Sequence, residues 1–410
     1  MGWSWVQELS DHVDLTVVTR ANNQPAIDLW LKSHPGHLSN VKWLFVDARS
    51  WILRLKRGPR GIHWYYPLWQ LLALFRTRGL LRHEHHDLAH HVSFMGPGFV
   101  MVPFLPVPSV VGPFGGLQPL AKGFGTIARH PMLEFGRRLR NSMRRASPLW
   151  WWQLSRTDAL IVANTASQAK LPRDARIRSF LMQIGTHELL KGSTSVPPGT
   201  ELSSSKGAAG VSNTVQVLWG GVHIGWKGLE LLLRAIPEAR KRARNHRFEL
   251  TITGRGPDTG YFEKLAEAVG LSESVRFVGW ADRDTYRQLL MATDVFVFTS
   301  LRETTGAALL EAMGYEKATL VIDHGGPADI TTEVTSIKVK PHNPSAAIHD
   351  VAKGLASLVS NPNLRVALGV AGRQRVEEIY AWPVIVEQTL RIYRLVLRKS
   401  EASKSAPDRS

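Results

Sequence analysis

One stretch in the second half of the chain restricts the fold more than any other. Residues 295–329 contain a buried strand (VFVFT), an acidic turn, a short helix, a second buried strand (ATLVID) and a glycine turn. Short apolar runs joined by a helix are typical of neighbouring strands in a parallel sheet that helices cover on both faces. The stretch therefore predicts half of a nucleotide-binding α/β unit.

The same alternation extends over most of the second half. Three further apolar strands, each followed by a glycine turn, lie upstream of this stretch: 215–219, 248–253 and 275–278. Helical segments separate the strands, and further helical segments follow the stretch. We therefore expect an α/β fold with a parallel sheet for residues 214–380.

The length of the chain predicts more than one domain. A chain of 410 residues is longer than one hydrophobic core usually holds. One segment is rich in Ser, Gly, Pro and Thr, as linkers and flexible loops are. The predicted organisation has five parts: an N-terminal domain at 1–189, a linker or flexible loop at 190–213, a C-terminal domain at 214–380, a last helix at 381–399 and a disordered tail at 400–410.

We expect the N-terminal domain to lack its first strand. An α/β domain normally begins with a strand and a glycine turn that leads into the first helix. Here only Gly2 precedes a helical segment. Either the start codon has been placed late or the chain is a shortened variant, and the missing strand would lie in the middle of the sheet.

The chain is basic, and its two halves differ in charge. The formal net charge is +17; residues 1–200 carry 24 Lys and Arg against 11 Asp and Glu, and they hold ten of the 14 tryptophans. One interpretation is a surface for anionic partners such as lipid headgroups. The other is a solvated basic face over a core that contains the tryptophans. No nucleic-acid-binding motif accompanies the charge, so we expect no nucleic-acid partner.

Two segments that are both basic and apolar are compatible with either interpretation, a surface for anionic partners or a solvated basic face. Residues 51–82 place Arg and Lys beside Trp and Leu, and residues 135–152 combine five arginines with three consecutive tryptophans. Both segments suit interfacial helices, and both suit ordinary helices with a solvated face. The apolar run at 99–111 is broken by three prolines, so no spanning helix is predicted. We expect a cytoplasmic protein, with peripheral attachment to the inner face of the cell membrane as the alternative.

Five histidines lie close together at 83–94 without a metal-binding spacing. A strand over the second part of this segment would place His90 and His91 on opposite faces, and the segment has no HExxH motif. The chain contains no cysteine, which excludes disulfides, a thiolate nucleophile and Cys-ligated zinc. We therefore expect no metal, and one histidine that faces a cleft at the carboxyl end of a strand.

Glycines and charged residues follow the predicted strands of the C-terminal domain, where ligands of open α/β sheets bind. Gly221 belongs to the first glycine turn and Lys227 follows it, Arg255 lies in the next glycine turn, and Glu303 precedes the helix start at 304–306. Glycine lets the backbone approach a ligand closely, and the free N–H groups of a helix start form a phosphate site. The pattern predicts a site for a diphosphate.

Glu311 lies about two turns into the helix that follows Glu303. A carboxylate can accept two hydrogen bonds from the vicinal hydroxyls of a ribose, as in dinucleotide sites. Two glutamates eight residues apart are common on solvated helices, but here they flank a helix start between two buried strands. We therefore expect Glu311 at the ribose of a nucleotide and the amides of Thr305 and Gly306 at its phosphates.

Residues 215–395 resemble the catalytic half of the family 4 retaining glycosyltransferases of the GT-B fold (glycosyl transferases group 1). The resemblance rests on the E-x7-E motif in ETTGAALLEAM, the GG-x5-KG turn of Gly220–Gly228, and the motifs GRG, VRFVGW and GGPAD. In the N-terminal half, GWSWVQELS, DLAHHVSF and VVGPFGG match more weakly and in the same order.

The resemblance implies two Rossmann-like domains that face a cleft, with a last helix that crosses back to the N-terminal domain. The C-terminal domain would bind a UDP- or GDP-linked sugar, and the N-terminal domain would bind a glycan or lipid-linked acceptor. The reaction would be a hexosyl transfer that keeps the anomeric configuration, in polysaccharide or glycolipid biosynthesis. It would need no metal or other cofactor, because the positive cleft stabilises the leaving diphosphate.

The resemblance also implies separate tasks for the site residues. Glu303 and His91 (or, less favoured, His90) would act at the donor sugar. The implied donor-binding residues are Gly221, Lys227, Arg255, Thr305, Gly306 and Glu311. The family commonly has an arginine at the position of Val222, and we expect Arg255 to compensate in part.

Two alternatives stay open. The first is an inactive glycosyltransferase-like binding subunit, which Val222 and the missing strand favour. The second is a sugar-nucleotide epimerase of the GT-B fold.

Overall fold

The computed structural model of the protein describes residues 2–55, 62–92, 99–186, 214–271 and 274–405. The chain forms two compact units. The first comprises Met1–Leu117, Arg137–Ile184 and Trp382–Ser410, and the second comprises Gln118–Gly136 and Gly185–Ala381. The predicted linker at 190–213 lies outside the described residues.

The first unit contains two parallel sheets within the described residues. One pairs two strands, β1 (Thr16–Arg20) and β2 (Lys42–Val46). The other has the order β3-β4-β5-β6, with strands at Ala89–His91, Ser109–Phe114, Ala159–Val162 and Ser179–Leu181. All residues of β4 and β5 are buried, so these strands form the centre of the unit.

Helices of 4 to 19 residues precede and join these strands. They are α1 (Gly2–Leu9), α2 (Gln24–Ser33), α3 (Ser50–Leu55), α4 (Ile62–Leu80), α5 (Pro131–Ala146), α6 (Pro148–Arg156), α7 (Thr165–Gln168) and α8 (Arg173–Ile177). The first six residues of α5 belong to the second unit. The basic segment predicted as one or two helices at 51–82 thus contains α4 and most of α3.

A cavity of about 870 Å³ lies between β1 and β3. Residues of both strands line it, as do Trp5 and Leu9 of α1 and Trp69 of α4. One strand residue in a packed sheet occupies about 160 Å³, which is the product of the strand spacing, the layer spacing and the rise per residue. The cavity therefore has room for about five residues. A strand that paired with both β1 and β3 would lie in this cavity.

The second unit has one parallel sheet with the order β12-β11-β10-β7-β8-β9. Its strands are β7 (Thr214–Gly220), β8 (Arg247–Thr253), β9 (Val275–Gly279), β10 (Val295–Phe298), β11 (Ala318–Ile322) and β12 (Ile337–Val339). Every residue of β10 and β11 is buried, which explains why their sequences are continuous apolar runs.

Helices connect the strands of the second unit and follow the last of them. They are α9 (Leu229–Arg242), α10 (Thr259–Ala268), α11 (Arg283–Met291), α12 (Ala307–Gly314), α13 (Gly326–Ile330), α14 (Pro344–Ser360) and α15 (Pro362–Ile379). The leucines of α9 are fully buried because one helix face packs on the sheet and α14 packs beside it.

The last helix, α16 (Trp382–Ser405), belongs to the first unit. Its Trp382 meets Trp5 of α1 edge to face, with ring centroids 5.4 Å apart. The predicted return of the last helix to the N-terminal part of the chain is therefore confirmed. The helix extends to Ser405, beyond the predicted end at 399, and residues 406–410 of the predicted tail lie outside the described residues.

One segment differs from the predicted organisation. The predicted N-terminal domain includes residues 118–136 because of their place in the chain, but their contacts place them in the second unit. Leu120, Phe124 and Ile127 are buried in the same core as β7 and α9. These three side chains lie in neither a helix nor a strand. Their core was therefore not predictable from sequence periodicity, because only tertiary packing decides which core they join.

Candidate functional site

The strand order of the second unit reverses between β7 and β10. The chain adds β8 and β9 on one side of β7 and then returns to form β10 on the other side. β7 and β10 pair directly, with Val217 opposite Val295. Ligands of open α/β sheets bind at such a reversal, beyond the carboxyl ends of the strands. The segments that follow β7 and β10 are therefore the candidate site.

An ion pair joins these two segments. Lys227 ends a single turn of 3₁₀ helix after β7, and its Nζ donates a hydrogen bond to Oε2 of Glu303, which follows β10. The two side chains are 22% and 17% exposed, so the pair is largely buried but still reaches solvent. The fold thus brings together two of the residues that the sequence singled out, although their roles stay predictions.

Backbone hydrogen bonds fix the position of Glu303. The N–H of Leu301 donates to the carbonyl oxygen of Trp226 at 2.8 Å, and the N–H of Gly326 donates to the carbonyl oxygen of Glu303 at 2.9 Å. The indole of Trp219 donates to the Thr299 hydroxyl at 3.1 Å. The loop after β10 is therefore held by the turns after both neighbouring strands, β7 and β11.

Two glycines allow the loops at the strand ends to approach each other. Gly228 has φ +70°, and a Cβ atom there would lie 2.1 Å from the carbonyl oxygen of Thr299. Gly254 has φ +115°, and a Cβ atom there would lie 1.9 Å from the carbonyl oxygen of Gly221. No side chain fits at either distance, so both glycines are required by the packing of these turns.

The helix α12 begins directly after Thr305 and Gly306. Gly306 is its N-cap residue with φ +96°, and no side chain caps the helix start through a hydrogen bond. The first turn of a helix carries N–H groups without intrahelical partners and a partial positive charge. The helix start therefore lies beside the Lys227–Glu303 pair as a second group that favours an anion.

Glu311 lies within α12 and acts on Tyr286 of α11 through its charge. Burial raises the pKa of the Tyr286 hydroxyl above its usual value, and the negative charge of Glu311 raises it further. That hydroxyl is buried and has no hydrogen-bond partner among the residues that the structure describes. A Cβ atom on Gly220, at the end of β7, would lie 3.2 Å from the Tyr286 ring.

Tyr286 was not singled out by the sequence. A tyrosine in an amphipathic helix is common, and nothing in the residues around it indicates that it reaches the end of another strand. The signal appears only in the structure, as a phenol without a partner between Glu311 and Gly220.

Arg255 is exposed and lies beside another strand end. A Cβ atom built on Gly279, at the end of β9, would lie 3.0 Å from its Nε atom. In the sheet, β9 is separated from β7 by β8. The structure therefore places the Arg255 side chain away from the Lys227–Glu303 pair, and compensation for Val222 stays a prediction.

The segment 118–136 is hydrogen-bonded to the loops that form the candidate site. Gln118 donates a hydrogen bond to the Thr304 hydroxyl at 3.0 Å. His130 donates to Asp258 at 3.0 Å, and the same carboxylate accepts the N–H of Gly225 at 2.8 Å. These contacts fix the backbone on both sides of the Lys227–Glu303 pair.

A second ion pair strengthens this support. Glu134, at the start of α5, accepts a hydrogen bond from Arg302, the neighbour of Glu303. The Arg302 guanidinium also lies over the Trp226 ring, 4.3 Å from its centroid. Neither contact could be found from the sequence, because the partners lie far apart in the chain and follow no shared pattern.

The two candidate histidines differ in their surroundings within the first unit. His90 lies between the carbonyl oxygen of Gly112, at 2.9 Å from Nε2, and the hydroxyl of Tyr393, at 2.6 Å from Nδ1. Both ring nitrogens of His90 are therefore engaged in holding β3, β4 and α16 together. The Nε2 atom of His91 lies 3.2 Å from the Tyr66 hydroxyl. His91 thus stays the favoured candidate, and its action at a donor sugar stays a prediction.

Within the described residues the chain has neither a metal-binding cluster nor a membrane-spanning helix. The part of the chain that the structure describes holds no group of three or more His, Cys, Asp or Glu residues arranged to bind a metal. None of the helices within the described ranges is both long and apolar enough to cross a bilayer.

Comparison with known proteins finds a family match within the second unit. Residues 213–375 match the model of the family described as glycosyl transferases group 1. A protein of Methanocaldococcus jannaschii, named as an uncharacterized glycosyltransferase, is 32% identical over 172 residues, which are 42% of this chain and 42% of that protein. The chain thus matches less than half of the length of this relative.

Two solved structures share the fold over nearly the whole chain. Sucrose-phosphate synthase from Thermosynechococcus elongatus has a TM-score of 0.64 at 18% identity, covering 97% of this chain and 93% of that one. The Anabaena protein HepE, solved in complex with UDP, has a TM-score of 0.60 at 16% identity, covering 95% and 94%. These similarities confirm the predicted GT-B fold, and at such identities they show the fold alone.

Proposed function

We propose, from the premise that residues 213–375 belong to the glycosyl transferases group 1 family, that the whole protein is a glycosyltransferase. It would move a sugar from a nucleoside diphosphate sugar to a glycan or lipid-linked acceptor and would retain the anomeric configuration. The observation that carries the proposal is the Lys227–Glu303 pair beside the start of α12, at the reversal of the strand order.

The donor would lie across the ends of β7 and β10. Its diphosphate would meet Lys227, the backbone at Gly221 and the amides at Thr305 and Gly306, because a cation and a helix start both stabilise phosphate charge. The UDP bound by HepE supports a nucleoside diphosphate as the ligand of this fold. No divalent metal is required in this scheme.

The ribose of the donor would lie between Glu311 and Tyr286. The carboxylate can accept hydrogen bonds from both vicinal hydroxyls. The buried hydroxyl of Tyr286, which has no partner among the described residues, could then exchange a hydrogen bond with the nucleoside. This arrangement would remove an unsatisfied buried group, which is a gain in free energy on binding.

The chemical step would break the bond between the anomeric carbon and the diphosphate oxygen, whose electron pair leaves with the nucleoside diphosphate. The acceptor oxygen forms the new bond on the same face of the sugar, and an oxygen of the leaving diphosphate accepts the proton of the acceptor hydroxyl. Lys227 would neutralise charge on the leaving diphosphate, which is stabilisation of the transition state. Glu303 would hold the sugar and orient Lys227, and action of His91 at the sugar stays an expectation from the resemblance.

The acceptor and the cellular site belong to the same proposal. A lipid-linked acceptor would place the protein in the cytoplasm, peripherally at the inner face of the cell membrane. The basic first half of the chain, with 24 Lys and Arg against 11 Asp and Glu in residues 1–200, supports attraction to anionic headgroups. Polysaccharide or glycolipid biosynthesis is the process that we propose.

A screen of nucleotide-sugar hydrolysis with UDP- and GDP-linked sugars tests the proposed function. We expect slow release of nucleoside diphosphate from one donor without added acceptor, and a raised melting temperature with that nucleotide in the presence of EDTA. If a nucleotide binds only with magnesium, the metal-free scheme is wrong.

An inactive binding subunit is the second candidate. Val222, at the position where the family commonly has arginine, is 46% exposed beside the glycine turn after β7, so one phosphate cation is absent there. A protein that binds a nucleoside diphosphate sugar tightly but neither hydrolyses nor transfers it in the screen would favour this candidate. Restored turnover in Val222→Arg would show that the missing cation is the cause.

A further inference from the structure

The helix α5 exposes its apolar side to solvent. Four apolar residues that are between 51% and 88% exposed follow one another at helical spacing: Met132, Phe135, Leu139 and Met143. At about 100° per residue they lie within about 80° of one another around the helix axis. They form one continuous stripe, which we call the α5 stripe.

The other side of α5 faces the protein. Glu134 is buried and pairs with Arg302. The side-chain amide of Asn141 donates to the carbonyl oxygen of Gly116 at 3.4 Å. A surface helix of a globular protein normally buries its apolar face and exposes its polar face, and α5 has the reverse orientation.

Arginines border the α5 stripe on both sides. Arg138 and Arg140 lie about 100° from the centre of the stripe in opposite directions, and Arg145 lies near Arg138. All three are exposed. A long cationic side chain beside an apolar stripe can place its stem along the apolar surface and its charge at the level of phosphates.

Two exposed tryptophans follow α5 closely in the chain. Trp151 and Trp152 of α6 are 51% and 50% exposed, and only Ser147 separates α6 from α5 in the chain. Tryptophan is enriched at the boundary between headgroups and acyl chains, because its ring is apolar and its N–H is polar. An exposed apolar surface of this kind is rare in proteins that contact only water.

We propose that α5 and the start of α6 bind the surface of an anionic lipid bilayer. The α5 stripe and the tryptophans enter the boundary between headgroups and acyl chains, and Arg138, Arg140 and Arg145 bind lipid phosphates. The inference rests on the proposed function in one respect: the bilayer is where a lipid-linked acceptor is found. The arginines on both sides of the apolar stripe favour an anionic bilayer, because its phosphates lie directly above the apolar acyl region.

Flotation of the full chain with lipid vesicles tests the proposal. Vesicles that contain phosphatidylglycerol are compared with vesicles of phosphatidylcholine alone, at low and at high salt. We expect binding to the anionic vesicles that weakens with salt. The double variant Leu139→Ser/Met143→Ser should bind the vesicles at least about tenfold more weakly, because both side chains lose their apolar contact with the bilayer.

A matched control comes from another helix with exposed apolar residues. Val366 and Val370 of α15 are 64% and 52% exposed in the second unit, and Val366→Ser/Val370→Ser should bind vesicles as the unchanged protein does. The charge variant Arg138→Gln/Arg145→Gln should lose most of the salt dependence. All variants change exposed residues, and circular dichroism and melting temperature verify that they fold.

A different outcome would reject the α5 surface. The helix α4 also exposes Leu71 and Phe75, and loss of flotation in Leu71→Ser/Phe75→Ser with full binding of the α5 variant would assign the contact to α4. Full binding by both variants, or none by the unchanged protein, would also reject it. Release of nucleoside diphosphate without vesicles is measured in parallel, because its failure concerns the donor site and not the membrane surface.

Discussion

Acid should destabilise the first unit through His90. Nε2 of this imidazole donates to the carbonyl oxygen of Gly112, and Nδ1 accepts the proton of the Tyr393 hydroxyl. This assignment of the protons describes a neutral ring. Burial, the largest cause, lowers the pKa of His90 to about 3, whereas histidine in an unfolded chain has a pKa of about 6.5.

The sign of the effect follows from proton linkage. Below pH 6.5 the unfolded chain binds a proton at His90 and the folded chain does not, so the free energy of unfolding falls as the pH drops towards 3. Between pH 7 and pH 5 the difference amounts to about 2 kcal/mol. Since His90 also lines the cavity between β1 and β3, water there reduces the loss, and we expect about 1–2 kcal/mol.

Urea unfolding at pH 7 and pH 5, followed by tryptophan fluorescence, measures this loss. The variant His90→Gln removes the titrating group and should lose about 1–2 kcal/mol less than the unchanged protein over this interval. The variant His349→Gln is the control, since His349 is exposed in the second unit and pairs with Glu238. Equal losses in the unchanged protein and in His90→Gln would refute the linkage.

Three further predictions concern the site and the cavity. Lys227→Ala should lower turnover of a nucleotide sugar about a hundredfold or more, as loss of one preorganised donor to a developing charge does; unchanged turnover contradicts its role at the diphosphate. Glu311→Gln should weaken nucleoside diphosphate binding in calorimetry about tenfold, and Tyr286→Phe should weaken it less. If both variants bind the nucleotide as tightly as the unchanged protein does, a ribose site there is excluded. An apolar segment of about five residues, joined by a glycine turn before Gly2, should raise the melting temperature, whereas the same segment with two prolines should not.

The strands of the second unit could be predicted well from the sequence. Five of them, β7 to β11, begin and end within one residue of the predicted bounds. Each is a short apolar run, all except β10 end at or near a glycine, and strands that are buried on both faces must have such runs. The sequence placed Lys227 and Glu303 at the carboxyl ends of parallel strands, but only the structure shows that β7 and β10 are neighbours and that the two side chains meet.

The contacts that support the site could not be predicted. The segment 118–136 has no strand, and its hydrogen bonds to Thr304 and Gly225 depend on packing between residues that lie far apart in the chain. The position of Arg255 shows the same limit. Its place after β8 was correct, but the direction of an exposed arginine is set by local contacts.

The helix α5 shows what periodicity leaves undecided. The spacing of apolar residues indicates that a helix is amphipathic, but it does not indicate which face the protein covers. A buried Glu134 and an exposed Leu139 settle the orientation. The exposed apolar face of α5 is the observation from which we infer contact with a bilayer, and the choice between the two interpretations of residues 135–152 stays a prediction.

The cavity between β1 and β3 has a consequence for the behaviour of the protein in concentrated solution. Each of these strands has a strand partner on one side only within the described part of the chain. Strand edges of this kind pair readily with strands of other molecules. We expect the protein to form oligomers rich in intermolecular β-structure as its concentration rises. A segment that pairs with both strands should therefore improve solubility as well as stability.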